Sequence, residues 1–202
     1  MSNILIIQSS ISGQQSVSRA LVNETVARLL EANPDARVVV RDLGSHPVPH
    51  LDANSLAGVR GVPVTQTELA TRALSDALIA ELRAADTVVI GAPMYNLSIP
   101  TPLKAWIDRV AVAGKTFQYT ATGPEGLLKG KKAFIASARG GVYSAGSPAA
   151  ALEHQESYLI GLLAFLGVTD VQVVRAEGMA FGPEAKEAAI AHALEDIAAI
   201  AA

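Results

Sequence analysis

The chain has 202 residues, half of them hydrophobic, with no cysteine and a formal net charge of −3. That suits one α/β domain with a sizeable core. It offers no basic surface for nucleic acid or an anionic membrane, and it excludes disulfides, thiolate metal sites and a cysteine nucleophile. There is no basic leader, and no stretch approaches the ~18 apolar residues of a membrane span, so a soluble cytoplasmic protein is expected.

Ile4-Leu5-Ile6-Ile7 reads as a buried strand, ended by Gln8-Ser9-Ser10. After a polar loop, Ser18 to Glu31 sets Leu21, Val22, Thr25, Val26, Leu29 and Leu30 at the spacing of an amphipathic helix. Asn33-Pro34 stops it. Arg37 to Leu43 is a second strand. Gly44 to Pro63, rich in Pro, Gly and Asn, reads as a long irregular loop of the kind that often carries function. Thr67 to Ala85 is a second helix, with Leu69, Ala73, Leu78 and Leu82 expected inward. Glu68, Arg72, Glu81 and Arg83 read as its solvated face.

Asp86 to Ala92 is the third strand, and Pro102 to Ala113 a short helix whose Leu103 and Trp106 suit core or subunit contacts. Thr116 to Leu128 is a turn-rich excursion. Lys131 to Ser137 is the fourth strand, Ala149 to Leu166 a helix, Val168 to Arg175 the fifth strand, and Pro183 to Ala202 a final Ala-rich helix.

Strands and helices alternate, and the strands are continuous apolar runs, as in sheets covered on both faces. This predicts an α/β fold: a doubly wound, five-stranded parallel sheet in the flavodoxin-like order 2-1-3-4-5, as a single domain over residues 1–202. Ligands of such sheets sit beyond the carboxyl ends of the strands, where the order reverses between strands one and three. The loops there are Ser9 to Ser18 and Pro93 to Pro100, with Ala138 to Tyr143 as neighbour.

The first loop, "SSISGQQSVS", brings five serines to a helix N-terminus, where free N–H groups and the helix dipole favour an anion such as a phosphate. Ordinary N-capping would also place serine there. The second, "PMYNLSIP", supplies apolar side chains and an amide. The third, "SARGGVY", has paired glycines, which allow close backbone approach to a flat ligand and equally suit a plain turn. Together the loops match a phosphorylated planar ring system, with flavin mononucleotide (FMN) the obvious candidate.

Rival motifs fail. The first loop holds only Gly13, not G-x-G-x-x-G. Gly114-Lys115-Thr116 ends like a P-loop but follows a helix, with Arg109 in the leading position. No G-x-S-x-G elbow is present. His46, His50, His154 and His192 lie at no metal-ligand spacing, so no metal is expected.

"APMYNLSIPTPLKAWIDRVAVAGKTFQYTATGPEGL" with "ARGG" resembles the FMN-dependent NADH-azoreductases, flavodoxin-like quinone and azo reductases of bacteria. The resemblance runs from "ILIIQSS" to "DVQVVRAEGMAFGPE". It implies that Ser10, Ser16, Val17 and Ser18 bind the FMN phosphate, that Met94, Tyr95, Asn96 and Leu97 line the isoalloxazine, and that Ala138, Arg139, Gly140 and Gly141 meet its other edge. Ala138 and Leu97 depart from the hydroxyl residue and the Phe common there. The resemblance further implies one FMN per subunit and a homodimer with active sites at the interface. Tyr119 then has two open roles, ordinary packing or reach to a neighbour's flavin. His50 and Arg60, in the long loop, are further substrate candidates.

The reaction so implied is a ping-pong hydride relay from NADH, or NADPH, through FMN to an azo compound or quinone. The cofactor carries the chemistry, with no side chain as catalytic acid and Asn96 as candidate for tuning its charge. A quinone reductase with incidental azo activity and a non-enzymatic flavodoxin-like electron carrier are the alternatives.

Overall fold

The computed structural model describes residues 2–200. In chain order its strands are β1 (Asn3–Gln8), β2 (Arg37–Asp42), β3 (Thr87–Pro93), β4 (Phe117–Thr120), β5 (Gly123–Gly126), β6 (Lys132–Ala138) and β7 (Asp170–Ala176). Its helices are α1 (Val17–Ala32), α2 (Leu56–Arg60), α3 (Gln66–Ala84), α4 (Thr101–Val110), α5 (Glu156–Leu166) and α6 (Pro183–Ala198). Five strands form one parallel sheet in the order β2-β1-β3-β6-β7, the doubly wound arrangement expected from the sequence.

Strand alternation divides the core in two. Leu5, Ile7, Val88, Ile90, Ala133 and Ile135 face one layer, closed by Leu78 and Leu82 of α3, Leu103 and Trp106 of α4, and Leu159 and Leu163 of α5. Ile4, Ile6, Val89, Phe134 and Ala136 face the other, closed by Leu21, Val22 and Val26 of α1 and by Ala193 and Ile197 of α6. The central strands β1, β3 and β6 are buried on both sides, which is why they read as unbroken apolar runs, while the edge strands β2 and β7 are only partly covered. Leu103 and Trp106 are core residues. Among the described residues no helix is long and apolar enough to cross a membrane.

Register brings the strand ends together. Gln8 of β1 pairs with Gly91, Pro93 of β3 with Ala138, and Ala138 with Ala176 of β7. The chain leaves β1, β3, β6 and β7 at one edge of the sheet.

Several expectations need correction. The Gly44 to Pro63 loop contains the short α2. Leu78 and Leu82 of α3 face inward as expected, but Leu69 and Ala73 are exposed and Thr71, Ser75 and Ile79 are buried instead, because the amino-terminal half of α3 packs under α2. The supposed solvated face of α3 is heavily bonded. Glu68 closes a capping box with Thr65, Arg72 donates to the Gly58 and Gly61 carbonyls, Glu81 pairs with Arg41, and Arg83 donates to the Lys115 carbonyl.

The helix expected from Ala149 begins at Glu156. Glu153 stops it from starting sooner: its carboxylate accepts the N–H groups of Gln155 (2.7 Å), Glu156 (2.7 Å) and Ser157 (2.9 Å) and so caps α5. The Thr116 to Leu128 excursion is the β4–β5 hairpin, clamped where Gly126 lies so close to α5 that a Cβ would stand 2.0 Å from the Gly167 nitrogen. The last helix runs to Ala198, and residues 201–202 of its expected span lie outside the described residues.

Candidate functional site

The three loops singled out in the sequence meet at the carboxyl edge of the sheet. The Ser9 hydroxyl donates to the Gly91 carbonyl (2.6 Å). The Tyr95 hydroxyl lies 3.3 Å from Ser10 Oγ and accepts the Ile11 N–H (3.2 Å), so the second loop holds the first. The Met94 N–H donates to the Ala138 carbonyl (2.8 Å), so the third holds the second.

The first loop ends in a cradle. Ser16 Oγ caps α1 by accepting the Arg19 N–H (3.2 Å) and lies 3.1 Å from Ser18 Oγ. Val17 and Ser18, the first two residues of α1, have N–H groups without an acceptor among the described residues. Such N–H groups and two hydroxyls are what an anion needs at a helix N-terminus. Arg19 itself points away, to Asp42 (2.8 Å). Burial pushes the Asp42 carboxyl up, but Arg19 and the Ser45 hydrogen bonds outweigh it and hold it below its ordinary range.

A cleft of about 230 Å³ opens beside this cradle. Ser10, Ser12, Gln15, Ser16, Val17 and Ser18 form one end; Pro93, Met94, Tyr95, Ala138, Gly140 and Met179 form the body. Of the twelve residues expected to hold the cofactor, Ser10, Ser16, Val17, Ser18, Met94, Tyr95, Ala138 and Gly140 line it, and Asn96, Leu97, Arg139 and Gly141 do not. Ser12, Gln15 and Pro93 lie in the expected loops although no binding role was assigned to them, and Met179 lies outside those loops. Met179 comes from the turn after β7, whose carboxyl end shares the same sheet edge; the expected topology was the one signal that pointed there.

Asn96 and Leu97 do not line this cleft. They are the tip of a tight turn, with Tyr95 N–H donating to the Ser98 carbonyl (2.9 Å) and Ser98 N–H returning to Tyr95 (3.2 Å). Both have positive φ, 48° and 73°. That conformation suits Asn but strains Leu97, and strain of this kind gathers at functional loops.

Arg139 also lies elsewhere than expected. Its side chain is 1% exposed and runs behind the glycine floor, away from the cleft lining. There it meets Glu156 (2.6 Å), Glu153 (3.1 Å) and Glu177 (3.5 Å), while Nε donates to Gln155 Oε1 (3.0 Å). Arg175 completes the group with a two-pronged pair to Glu156. Burial raises the Glu153 carboxyl, yet the N–H groups it caps pull it below its ordinary value; Glu177 is likewise raised by burial and pulled lower by Ser144, the Tyr143 N–H and both arginines.

Gly141 lies outside the lining, its carbonyl accepting the Gly178 N–H (2.9 Å). Tyr119 stands 75% exposed on β4, and Arg60 is exposed at the end of α2. His50 lines a separate cavity with Arg109. Among the described residues no three His, Asp or Glu side chains gather as a metal site. The arrangement fits a ligand with an anionic end at α1 and a flat apolar body over Pro93, Met94, Ala138 and Met179.

Residues 2–201 match the model of a family described by its flavodoxin-like fold. The chain is 57% identical over 201 residues to an FMN-dependent NADH:quinone oxidoreductase of Hyphomonas neptunium, covering 100% of this chain and 96% of that one. It is 53% identical over 200 residues to a protein of the same description from Delftia acidovorans, covering 98% and 94%. Among solved structures it is similar to an FMN-dependent NADH-azoreductase from Bacillus anthracis in complex with FMN, with a TM-score of 0.87, 28% identity and full coverage of both chains. A second azoreductase from that organism gives a TM-score of 0.89 at 34% identity, covering 98% and 97%.

Proposed function

The chain belongs to the family of FMN-dependent NADH:quinone oxidoreductases and azoreductases, and we propose that it uses FMN and NADH to reduce quinones and azo compounds. One observation carries this reading: the three loops are hydrogen-bonded into a single cleft with an anion cradle at one end and an apolar wall along its body. Its names in relatives favour quinones as the main acceptors.

FMN fits the residues present. The Val17 and Ser18 N–H groups and the Ser16 and Ser18 hydroxyls would hold its phosphate, without a lysine or arginine side chain. Ser10, Met94, Tyr95, Ala138 and Gly140 would line the rest, with Asn96, Leu97, Arg139 and Gly141 supporting from outside the lining. When bound, FMN supplies a two-electron carrier that serves donor and acceptor in turn, which is the basis of a ping-pong scheme. The chain would position it, would shield it from water on the Met94 and Met179 side, and would offer the Gly140 N–H, which has no acceptor among the described residues, to developing negative charge. NADPH is a second donor to test.

We read the working form as a homodimer with the cleft completed at the interface. A cleft of about 230 Å³ is small and open beside the ~300–1,000 Å³ of most ligand pockets. Ile11, Tyr119, Val142 and Phe181 are large apolar side chains left exposed on one subunit. Tyr119, Arg60 and His50 are then substrate contacts only if a neighbour's cleft reaches them.

The test is spectroscopic. The purified protein is expected to be yellow, to bleach with NADH under anaerobic conditions, and to recolour with a quinone. A yellow protein inert to NADH and NADPH would instead be an electron carrier, and a colourless one that takes up no FMN would remove the cleft assignment.

A further inference from the structure

Arg109, on α4, is 1% exposed. A guanidinium stays protonated in a protein, so this residue carries a full charge into the interior, where an ion without a partner is costly. The chain shows how it handles such a charge at Arg139, which is met by three glutamates. Arg109 receives nothing comparable. Its Nε donates to the Pro49 carbonyl (2.8 Å), and its buried Nη1 has no partner. No described carboxylate stands at ion-pair distance from it. Asp52 is the acid whose field it feels, but it stands beyond ion-pair distance, and its Oδ1 accepts from the Ser55 hydroxyl (2.7 Å) and the Asn54 N–H (3.0 Å).

Arg109 lines a cavity of about 370 Å³ that shares no residue with the flavin cleft. Thr67 and Thr71 of α3 bring hydroxyls to it, with no hydrogen bond of their own among the described residues; Ala70 and Leu74 give an apolar strip; Asp52 lies on the lining. One buried cation calls for one anion. Asp52 disfavours a doubly charged one such as phosphate, and the apolar strip suits a carbon body.

We propose that this cavity binds a small organic monocarboxylate, its carboxylate held by the Nη groups of Arg109 with the α3 threonine hydroxyls, and its body against Ala70 and Leu74. The site is separate from the chemistry at the cleft and stands whether or not the flavin assignment holds.

The test uses the full-length protein loaded with FMN and 4-fluorobenzoate as probe, followed by fluorine NMR at constant ionic strength. Saturable broadening is expected, reversed by unlabelled benzoate and propionate but not by chloride, with the flavin spectrum unchanged. Arg109→Met is expected to weaken binding roughly tenfold or more, as the loss of a charge-assisted pair requires. Ala70→Phe, which fills the cavity from the exposed side of α3 and leaves Arg109 in place, is expected to abolish it if the methionine variant does not fold. Absence of saturable binding overturns the proposal. So does equal binding by the variants, or binding that perturbs the flavin and is displaced by a quinone. Phosphate competing better than propionate would make this an inorganic oxyanion site and sink the carboxylate assignment.

Discussion

Arg139 Nε meets Gln155 Oε1 at 3.0 Å, and the Gln155 amide nitrogen in turn donates to the Ala92 carbonyl, so one buried glutamine ties the end of β6 to the end of β3. The two strands that deliver the cleft's wall and floor are thus fixed from behind. Arg139→Met would leave three glutamates facing one another without their shared cation. The expected loss is about 3–5 kcal/mol in urea unfolding, as for other buried pairs broken on one side. Gln155→Leu is expected to cost less, about 1–3 kcal/mol, through the unmet Ala92 carbonyl and Arg139 N–H. Unchanged midpoints would show that the network contributes little.

The same network sets an acid limit. Glu153 and Glu177 have carboxyls held below the ordinary 4.5 in the folded protein. A depressed folded value means stability that is complete above the unfolded value and is lost as pH falls through the folded one. Unfolding free energy is therefore expected to be flat near neutrality and to decline as pH drops below about 4.5. Glu153→Gln should flatten that decline; an identical acid profile would count against this account.

Tyr95→Phe removes the hydroxyl that joins the first loop to the second. Two hydrogen bonds, to Ser10 and Ile11, are lost. At about 1 kcal/mol each, FMN affinity is expected to fall roughly five- to thirty-fold, measured by quenching of flavin fluorescence. Affinity equal to wild type would mean that the cradle is ordered without Tyr95.

Gly44→Ala tests the floor of the cradle from outside. A Cβ at Gly44 would stand 2.0 Å from the Ser10 carbonyl oxygen, so the Ser10 backbone must move. Lower thermal stability and weaker FMN binding are expected together. A variant that keeps both would show that the loop yields without disturbing Ser10.

Leu97→Val probes the turn at Asn96 and Leu97. A β-branched side chain at φ 73° is less tolerable than leucine. We expect a loss of about 1 kcal/mol or more in stability and slower turnover with NADH, with normal values for Leu97→Gly stability. Equal stability of the valine variant would argue that the turn relaxes freely.

What the sequence disclosed follows from where side chains are buried. The central strands are sandwiched by helices, so Ile4 to Ile7 and Val88 to Ile90 stand out as runs, and the alternation of strands with helices pointed to the place of the cleft. Leu78 and Leu82 disclosed the inward face of the second half of α3, but the first half was hidden because it packs through Thr71 and Ser75, polar residues that hydropathy assigns to solvent. The β4–β5 hairpin was hidden because "GPEG" has no strand pattern and is held by the close approach of Gly126 to Gly167. The serine loop's place at the start of α1 was legible from position, whereas position alone left N-capping and anion binding both open. The direction of Arg139 was not legible, because its partners Glu153, Glu156 and Glu177 are brought to it by α5 and by the chain after β7.

The short stretch before α5 has a consequence for how the molecule opens. His154 donates its N–H to the Leu97 carbonyl and accepts from Ser98 Oγ, Glu153 caps the helix while bonding Arg139, and Gln155 grips Ala92. Cleft loop and helix start therefore form one cooperative unit rather than two. Amide hydrogens at His154, Glu156 and Ser157, at a remove from the anion cradle, should exchange with solvent at a common rate and slow in step when the cleft is filled.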